Sequence, residues 1–267
     1  MIKLRDAFSE GKAFIPFVTC GDPDIETTKQ IVLAMAEAGA DVIELGIPFS
    51  DPTAEGPVIQ EANIRALAGG MTTDKAFELA AELTEEINVP LVFMTYANVV
   101  YSYGSDRSTG AEGGTEKFVK RMAECGVSGL ILPDVPYEEK EDFAPVCRKY
   151  GVDFVSLIAP TSHDRIRMIA KDAEGFIYCV SSLGVTGVRS EITTDIGAMV
   201  AEVRKVSDIP VAIGFGISTP EQAADMAAKA DGVIVGSAIV KIAAAYGKEA
   251  PKHIAEYVRS MKEAISV

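Results

Sequence analysis

The chain has 267 residues, 48% of them apolar, and its 25 basic and 39 acidic residues leave a net charge of -14. That apolar fraction supports a packed core and excludes a disordered polymer. The acidic balance, with no basic patch and no aromatic-plus-basic cluster, excludes nucleic acid and anionic membrane surfaces as partners. Cys20, Cys125, Cys147 and Cys179 are scattered, with only His163 and His253 to help them. They offer neither a zinc-ligand spacing nor a disulfide framework and read as buried free thiols. The N-terminal stretch MIKLRDAFSEGKAF lacks the apolar run and small-residue cleavage site of a signal peptide, and no segment has the apolar length of a membrane span. The expected location is cytoplasmic.

In chain order, IKLRDAFSEG predicts a short helix suited to plugging the bottom of a barrel. Short apolar segments bounded by turn residues then follow: AFIPFVTCG, DVIELGI, PLVFMTY, GLILPD, DFVSLIAP, GFIYCVS, PVAIGFGI and GVIVGSAIV. Between most of them lie helical patterns, ETTKQIVLAMAEAGA, TEKFVKRMAECG, YEEKEDFAPVCRKYG, DIGAMVAEVRKVSD and TPEQAADMAAKA, with apolar residues three and four apart. Two helical stretches, PVIQEANIRALAGG and TTDKAFELAAELTEEI, fill the space between the second and third strands. YSYGSDRSTGAEGGTE, after the third, reads as a surface excursion.

Strands this uniformly apolar are covered on both faces, which implies a parallel sheet. Eight β-α units in about 250 residues match a closed (β/α)₈ barrel. The fold class is therefore α/β: a TIM barrel, one domain over 1–267, with an N-terminal helix and an extra helix after strand two. An open doubly wound sheet is the other arrangement considered, but the first strand ends in CGDPD, a turn and helix cap, rather than G-x-G-x-x-G.

In such barrels the reactive groups gather at the C-terminal ends of the strands. Glu44 lies there, in the middle of an apolar strand. Alternation puts Val42, Glu44 and Gly46 on one face and Asp41, Ile43 and Leu45 on the other, so Glu44 is expected to point into the barrel. Poor solvation there raises a carboxyl's pKa and fits it for proton transfer near neutrality. The loop SDPTAEGP adds Asp51 and Glu55, and is long enough to bring Glu55 opposite Glu44 across a ligand. SSLGVTGVRS, GFGIS and GSAIV follow three consecutive strands. Their glycines and a helix starting near Ser237 form an anion pocket of backbone N–H groups, expected to bind phosphate.

FVTCGDP, ELGIPFSDPTAEGP, MTYAN, PDVP, GVTG, GFGIS and GSAIV, in this order, resemble the tryptophan synthase alpha chain family, over nearly the whole chain. The resemblance implies retro-aldol cleavage of indole-3-glycerol phosphate to indole and glyceraldehyde 3-phosphate. It implies no cofactor in this chain and a beta-chain partner, in an alpha2beta2 complex, that carries pyridoxal phosphate and receives the indole. By motif, Glu44 is the acid/base that protonates the indole ring carbon, and Glu55 the second carboxylate, near the indole N–H. Phe17, Tyr96, Tyr178 and Phe215 fall near the indole, Thr186 and Gly187 in a closing loop, and Gly216, Gly236 and Ser237 at the phosphate. Asp51 and Pro52 match a segment facing the beta chain. Three positions depart from the pattern: Glu55 replaces an Asp, Thr53 stands where Leu is usual, and the insertion from Gly104 to Thr115 is long. A different class of function follows from the first departure, a catalytically weak barrel that binds the phosphate ligand and regulates a beta chain. Another phosphate-binding barrel enzyme, an isomerase or prenyl transferase, would explain GFGIS and GSAIV but not ELGIPFSDP.

Overall fold

Every strand pairing in the computed structural model, which describes residues 2–105, 110, 113–180, 195–214 and 216–266, is parallel. The strands are β1 (Ala13–Thr19), β2 (Ile43–Gly46), β3 (Leu91–Met94), β4 (Gly129–Ile131), β5 (Asp153–Phe154), β6 (Ser156–Ile158), β7 (Ile177–Val180), β8 (Val211–Gly214) and β9 (Gly232–Val235). They run in the order β5-β4-β3-β2-β1-β9-β8-β7-β6. The two ends of that order, β5 and β6, are halves of one segment separated by Val155 alone, whose N–H still bonds Leu130 O at 3.0 Å. Chain continuity therefore closes the circle. The eight expected strands are present, the fifth broken because its first half pairs with β4 and its second with β7.

The helices are α1 (Ile25–Glu37), α2 (Pro57–Ala68), α3 (Thr73–Glu86), α4 (Ala97–Ser102), α5 (Thr115–Glu124), α6 (Ala144–Tyr150), α7 (His163–Lys171), α8 (Ile196–Arg204), α9 (Pro220–Ala227), α10 (Ser237–Tyr246) and α11 (Ala250–Ile265). Both helices expected between β2 and β3 are there. Local chemistry sets several starts: Asp24, Thr72, Ser162 and Asp195 accept a first-turn N–H, and Thr219 with Gln222 forms a capping box. One expected helix splits. Across 137–151 a 3-10 turn, Tyr137–Asp142, gives way to α6 at Phe143, because Pro145 has no N–H to continue an earlier turn. Helix α4, whose last two residues open the expected excursion, has its N-terminus capped from a distance: Ala97 N–H lies 3.1 and 3.2 Å from the two carboxylate oxygens of Asp134. Residues 106–109 and 111–112 of that excursion lie outside the described residues.

Strand alternation sorts the core into two layers. Phe14, Val18, Ile43, Leu45, Phe93 and Ile213 face the helices. Ala13, Ile15, Val42, Val92, Phe176 and Ala212 fill the barrel with Leu4, which the Leu4–Phe8 3-10 turn inserts from below. The expected plug is thus a five-residue turn. Gly129 makes room for it, since a Cβ there would lie 2.7 Å from Leu4 Cδ1. The four cysteines are buried free thiols. Among the described residues no helix is long and apolar enough to cross a membrane.

Candidate active site

Val42, two residues before Glu44, belongs to the interior layer, while Ile43 and Leu45 belong to the outer one. The two-residue period therefore points Glu44 inward, as the sequence predicts. Glu44 is 1% exposed, and neither of its carboxyl oxygens has a hydrogen-bond partner among the described residues. A bare carboxylate is costly in such a place, so the proton is held. Burial first, and the nearby negative charge of Glu55 second, push its pKa up to about 8.

Glu55 reaches the same space from the loop between β2 and α2. It is buried, which raises its pKa, but its carboxylate has partners that oppose the rise. Asn63 Nδ2 donates to Oε2 at 2.6 Å, and the Tyr96 hydroxyl donates from another side. Gln60 Nε2 donates to the Glu55 carbonyl oxygen at 2.7 Å, and Ala54 N–H donates to Tyr96 Oη at 3.2 Å. The extra methylene of this acid is thus accommodated by a side chain held against α2 and Tyr96. Two buried carboxyls differ in environment: burial raises both, but one has no partner among the described residues and the other accepts hydrogen bonds that oppose the rise. A contrast in partners of this kind suits two carboxyls to different roles.

Aromatic rings stand over glycines on adjoining strands. Phe17 pairs in register with Glu44, and its ring covers Gly46 so closely that a Cβ there would be 2.5 Å from Cζ. Tyr178 covers Gly214 in the same way, 2.5 Å from a Cβ built there. Phe17 also touches the other rim, its Cβ 3.5 Å from a Cβ built on Gly236. Tyr96 is 2% exposed, with Phe49 tilted against it at 5.4 Å between centroids. Flat, mostly apolar walls of this kind suit an aromatic bicycle.

The opposite rim is built from the ends of β8 and β9. Gly216 has φ +80, a left-handed conformation that side chains resist. Gly236 precedes α10, which starts at Ser237 as expected and is not capped by a side chain of Gly236. First-turn N–H groups of a ten-residue helix are suited to an oxyanion without Lys or Arg. Thr186, Gly187 and Phe215, the remaining sequence candidates, lie outside the described residues.

Asp51 and Pro52 are not part of this interior. Asp51 is exposed, accepting from Ser50 Oγ at 2.5 Å, and Pro52 is half-buried on the same outer loop. Asn63 and Gln60 were not among the sequence candidates. The signal for Asn63 was present: Ile59, Ala62, Asn63 and Ala66 form the buried stripe of α2, and one member is polar. Thr19, in register with Gly46, also went unnoticed; its buried hydroxyl has no partner among the described residues. Among the described residues no group of His, Cys, Asp and Glu is arranged to hold a metal ion.

Comparison with known proteins agrees with this geometry. The family model described as tryptophan synthase alpha chain matches residues 5–266. The tryptophan synthase alpha chain of Lacticaseibacillus casei is 48% identical over 265 residues, covering 99% of this chain and 96% of its own. That of Lactiplantibacillus plantarum is 47% identical, covering 99% and 97%. Among solved structures, Mycobacterium tuberculosis tryptophan synthase superposes with a TM-score of 0.87 at 30% identity, covering 99% of this chain and 98% of its own. A chain of the Pyrococcus furiosus tryptophan synthase a2b2 complex superposes with a TM-score of 0.83 at 35% identity, covering 95% and 99%. Matched from end to end in sequence and in fold, the chain belongs to the tryptophan synthase alpha chain family.

Proposed function

We propose that this chain is the lyase subunit of a tryptophan synthase, cleaving indole-3-glycerol phosphate to indole and glyceraldehyde 3-phosphate and passing indole to a beta chain in an alpha2beta2 complex. The observation that carries the reading is Glu44: an inward, protonated carboxyl with no hydrogen-bond partner among the described residues, at the mouth of a parallel barrel, near a second acid that accepts from Asn63.

In this reading the substrate's indole lies between Phe17, Tyr96 and Tyr178. Glu44 delivers its proton to the ring carbon bearing the side chain, and Glu55 accepts the indole N–H, stabilising the positive charge that develops on the ring. The Glu44 carboxylate so formed takes the proton of the adjacent side-chain hydroxyl. The carbon–carbon bond breaks, its electron pair returns to the ring, and an aldehyde is left on the phosphate-bearing fragment. No proton is gained or lost overall. Gly216, Gly236 and Ser237 hold the phosphate through backbone N–H groups.

Asp51 and Pro52, on the outside of the loop that carries Glu55, face the beta chain. Acid-base chemistry needs no cofactor in this chain; the pyridoxal phosphate belongs to the beta partner, and the pair works in the cytosol. The test is steady-state indole release with and without a beta chain. Glu44→Gln is expected to abolish cleavage, by 1,000-fold or more on the order expected for a lost proton donor, while binding of a substrate analogue persists. Undiminished turnover in that variant removes Glu44 from the chemistry.

A further inference from the structure

Helix α2 buries Ile59, Ala62, Asn63 and Ala66, and Asn63 is the polar member of that stripe. It is 4% exposed, where an amide destabilises unless it is bonded. Its Nδ2 donates to Glu55 Oε2 at 2.6 Å, a short bond to a carboxyl oxygen. Gln60, on the first turn of the same helix, donates to the backbone oxygen of Glu55 at 2.7 Å. One helix therefore grips the acid at both its main chain and its side chain.

The reach of the grip is that of a glutamate. A carboxylate one methylene shorter draws back by about 1.5 Å, which carries a 2.6 Å contact beyond hydrogen-bonding range. We infer that Asn63 is a positioning residue for the lyase reaction, its amide fixing the Glu55 carboxylate opposite Glu44, and that it does so only when the acid has glutamate length. The inference rests on the reading of Glu55 as the second carboxylate of the reaction.

The groups facing Glu55 are Glu44 from β2, Asn63 from α2 and Tyr96 at the start of α4, and Asp134 acts on Tyr96 in turn. Bonds from Asn63 and Tyr96 favour the anion of Glu55, whereas burial disfavours it. Removing the Asn63 amide therefore raises the pH at which Glu55 ionises.

The test is a cycle of Asn63→Ala, Glu55→Asp and the double variant, assayed as the full chain with a beta chain across pH. Asn63→Ala alone is expected to lower kcat roughly 10- to 100-fold, as for a misplaced catalytic group, with KM changed less than about threefold, and to shift the acid limb of the profile upward. In the Glu55→Asp background the same substitution is expected to cost less than about twofold. Infrared titration of the carboxylate band that disappears in Glu55→Gln reads the ionisation shift without turnover. Equal losses in both backgrounds, or an unmoved titration, overturn the inference. Asn63→Asp keeps the shape and replaces the donor with an acceptor, so it covers the case in which the alanine variant does not fold; wild-type behaviour there overturns the inference as well. Full activity in Glu44→Gln would instead undermine the lyase reading itself, whereas a normal dependence on Glu44 and Glu55 with a neutral Asn63→Ala undermines only the role of Asn63.

Discussion

Asp22 and Arg65 form a two-pronged ion pair, Nε to Oδ1 at 2.8 Å and Nη2 to Oδ2 at 2.9 Å, that ties the loop after β1 to α2. Asp22 is 1% exposed, so the guanidinium fork satisfies an anion that has lost its water. Because α2 also holds Glu55 through Asn63 and Gln60, the clamp sits one step behind the proposed chemistry. Arg65→Met is expected to lower the free energy of unfolding by roughly 3 kcal/mol, the scale for leaving a buried charge unpaired. Arg65→Lys should recover only part of this, since a point charge cannot make both bonds. Urea unfolding measures both; a loss below about 1 kcal/mol for Arg65→Met would reduce the pair to an ordinary surface contact.

The pH dependence follows from Glu44. Its pKa is raised to about 8, so cleavage should fall as pH rises through that value, while protonation of Glu55 sets the acid limb. Stability shares the cause. Between the usual glutamate pKa and about 8 the folded chain holds a proton on Glu44 that the unfolded chain releases, so this contribution is complete at low pH and is lost as pH rises. Glu44→Gln cannot ionise. It should match the parent's stability near pH 5 and exceed it near pH 9 by an amount on the order of 5 kcal/mol. Urea titrations at the two pH values check this; a constant difference between the proteins would mean that Glu44 titrates normally.

Phe17 and Gly46 are a matched large and small pair. Gly46→Ala would set a Cβ 2.5 Å from the end of the Phe17 ring, so the ring must leave its place. A destabilisation of roughly 1–3 kcal/mol is expected from such overpacking, together with a raised KM for the indole substrate. Shortening the ring by Phe17→Leu should restore most of the lost stability in the double variant. Thermal unfolding of the four proteins measures the coupling; additive losses would show that the two side chains do not meet.

Glu44 was legible in the sequence because an acid in an apolar strand breaks a pattern that strand burial otherwise enforces. Glu55 was legible as a residue though not as a geometry: the sequence shows a longer acid, but the partners that hold it, Asn63 and Tyr96, come from different elements. Asn63 leaves little signal in the sequence, because its polarity sits inside a stripe whose other members have apolar helical spacing. Helix α4 escaped notice because its cap, Asp134, lies 37 residues away and leaves no local signal. The break at Val155 follows from which neighbour each half-strand meets, and the division at Phe143 could have been read from Pro145 alone. Helix α11 relies on packing against α9 and α10 and, across most of the chain, on α1 and the bond from Lys262 to Asp41 at 2.7 Å.

Among the described residues the ring of strands, sealed on itself at Val155, leaves no border along which a second polypeptide can add by main-chain pairing. Any subunit that joins this one must therefore be recognised by side chains on helices and loops. The loop carrying Asp51 and Pro52 on its outer side carries Glu55 on its inner side, so a visitor pressing on that loop from without would be felt by the acid within. In the proposed reading, assembly and proton transfer would share a common lever, a few residues long.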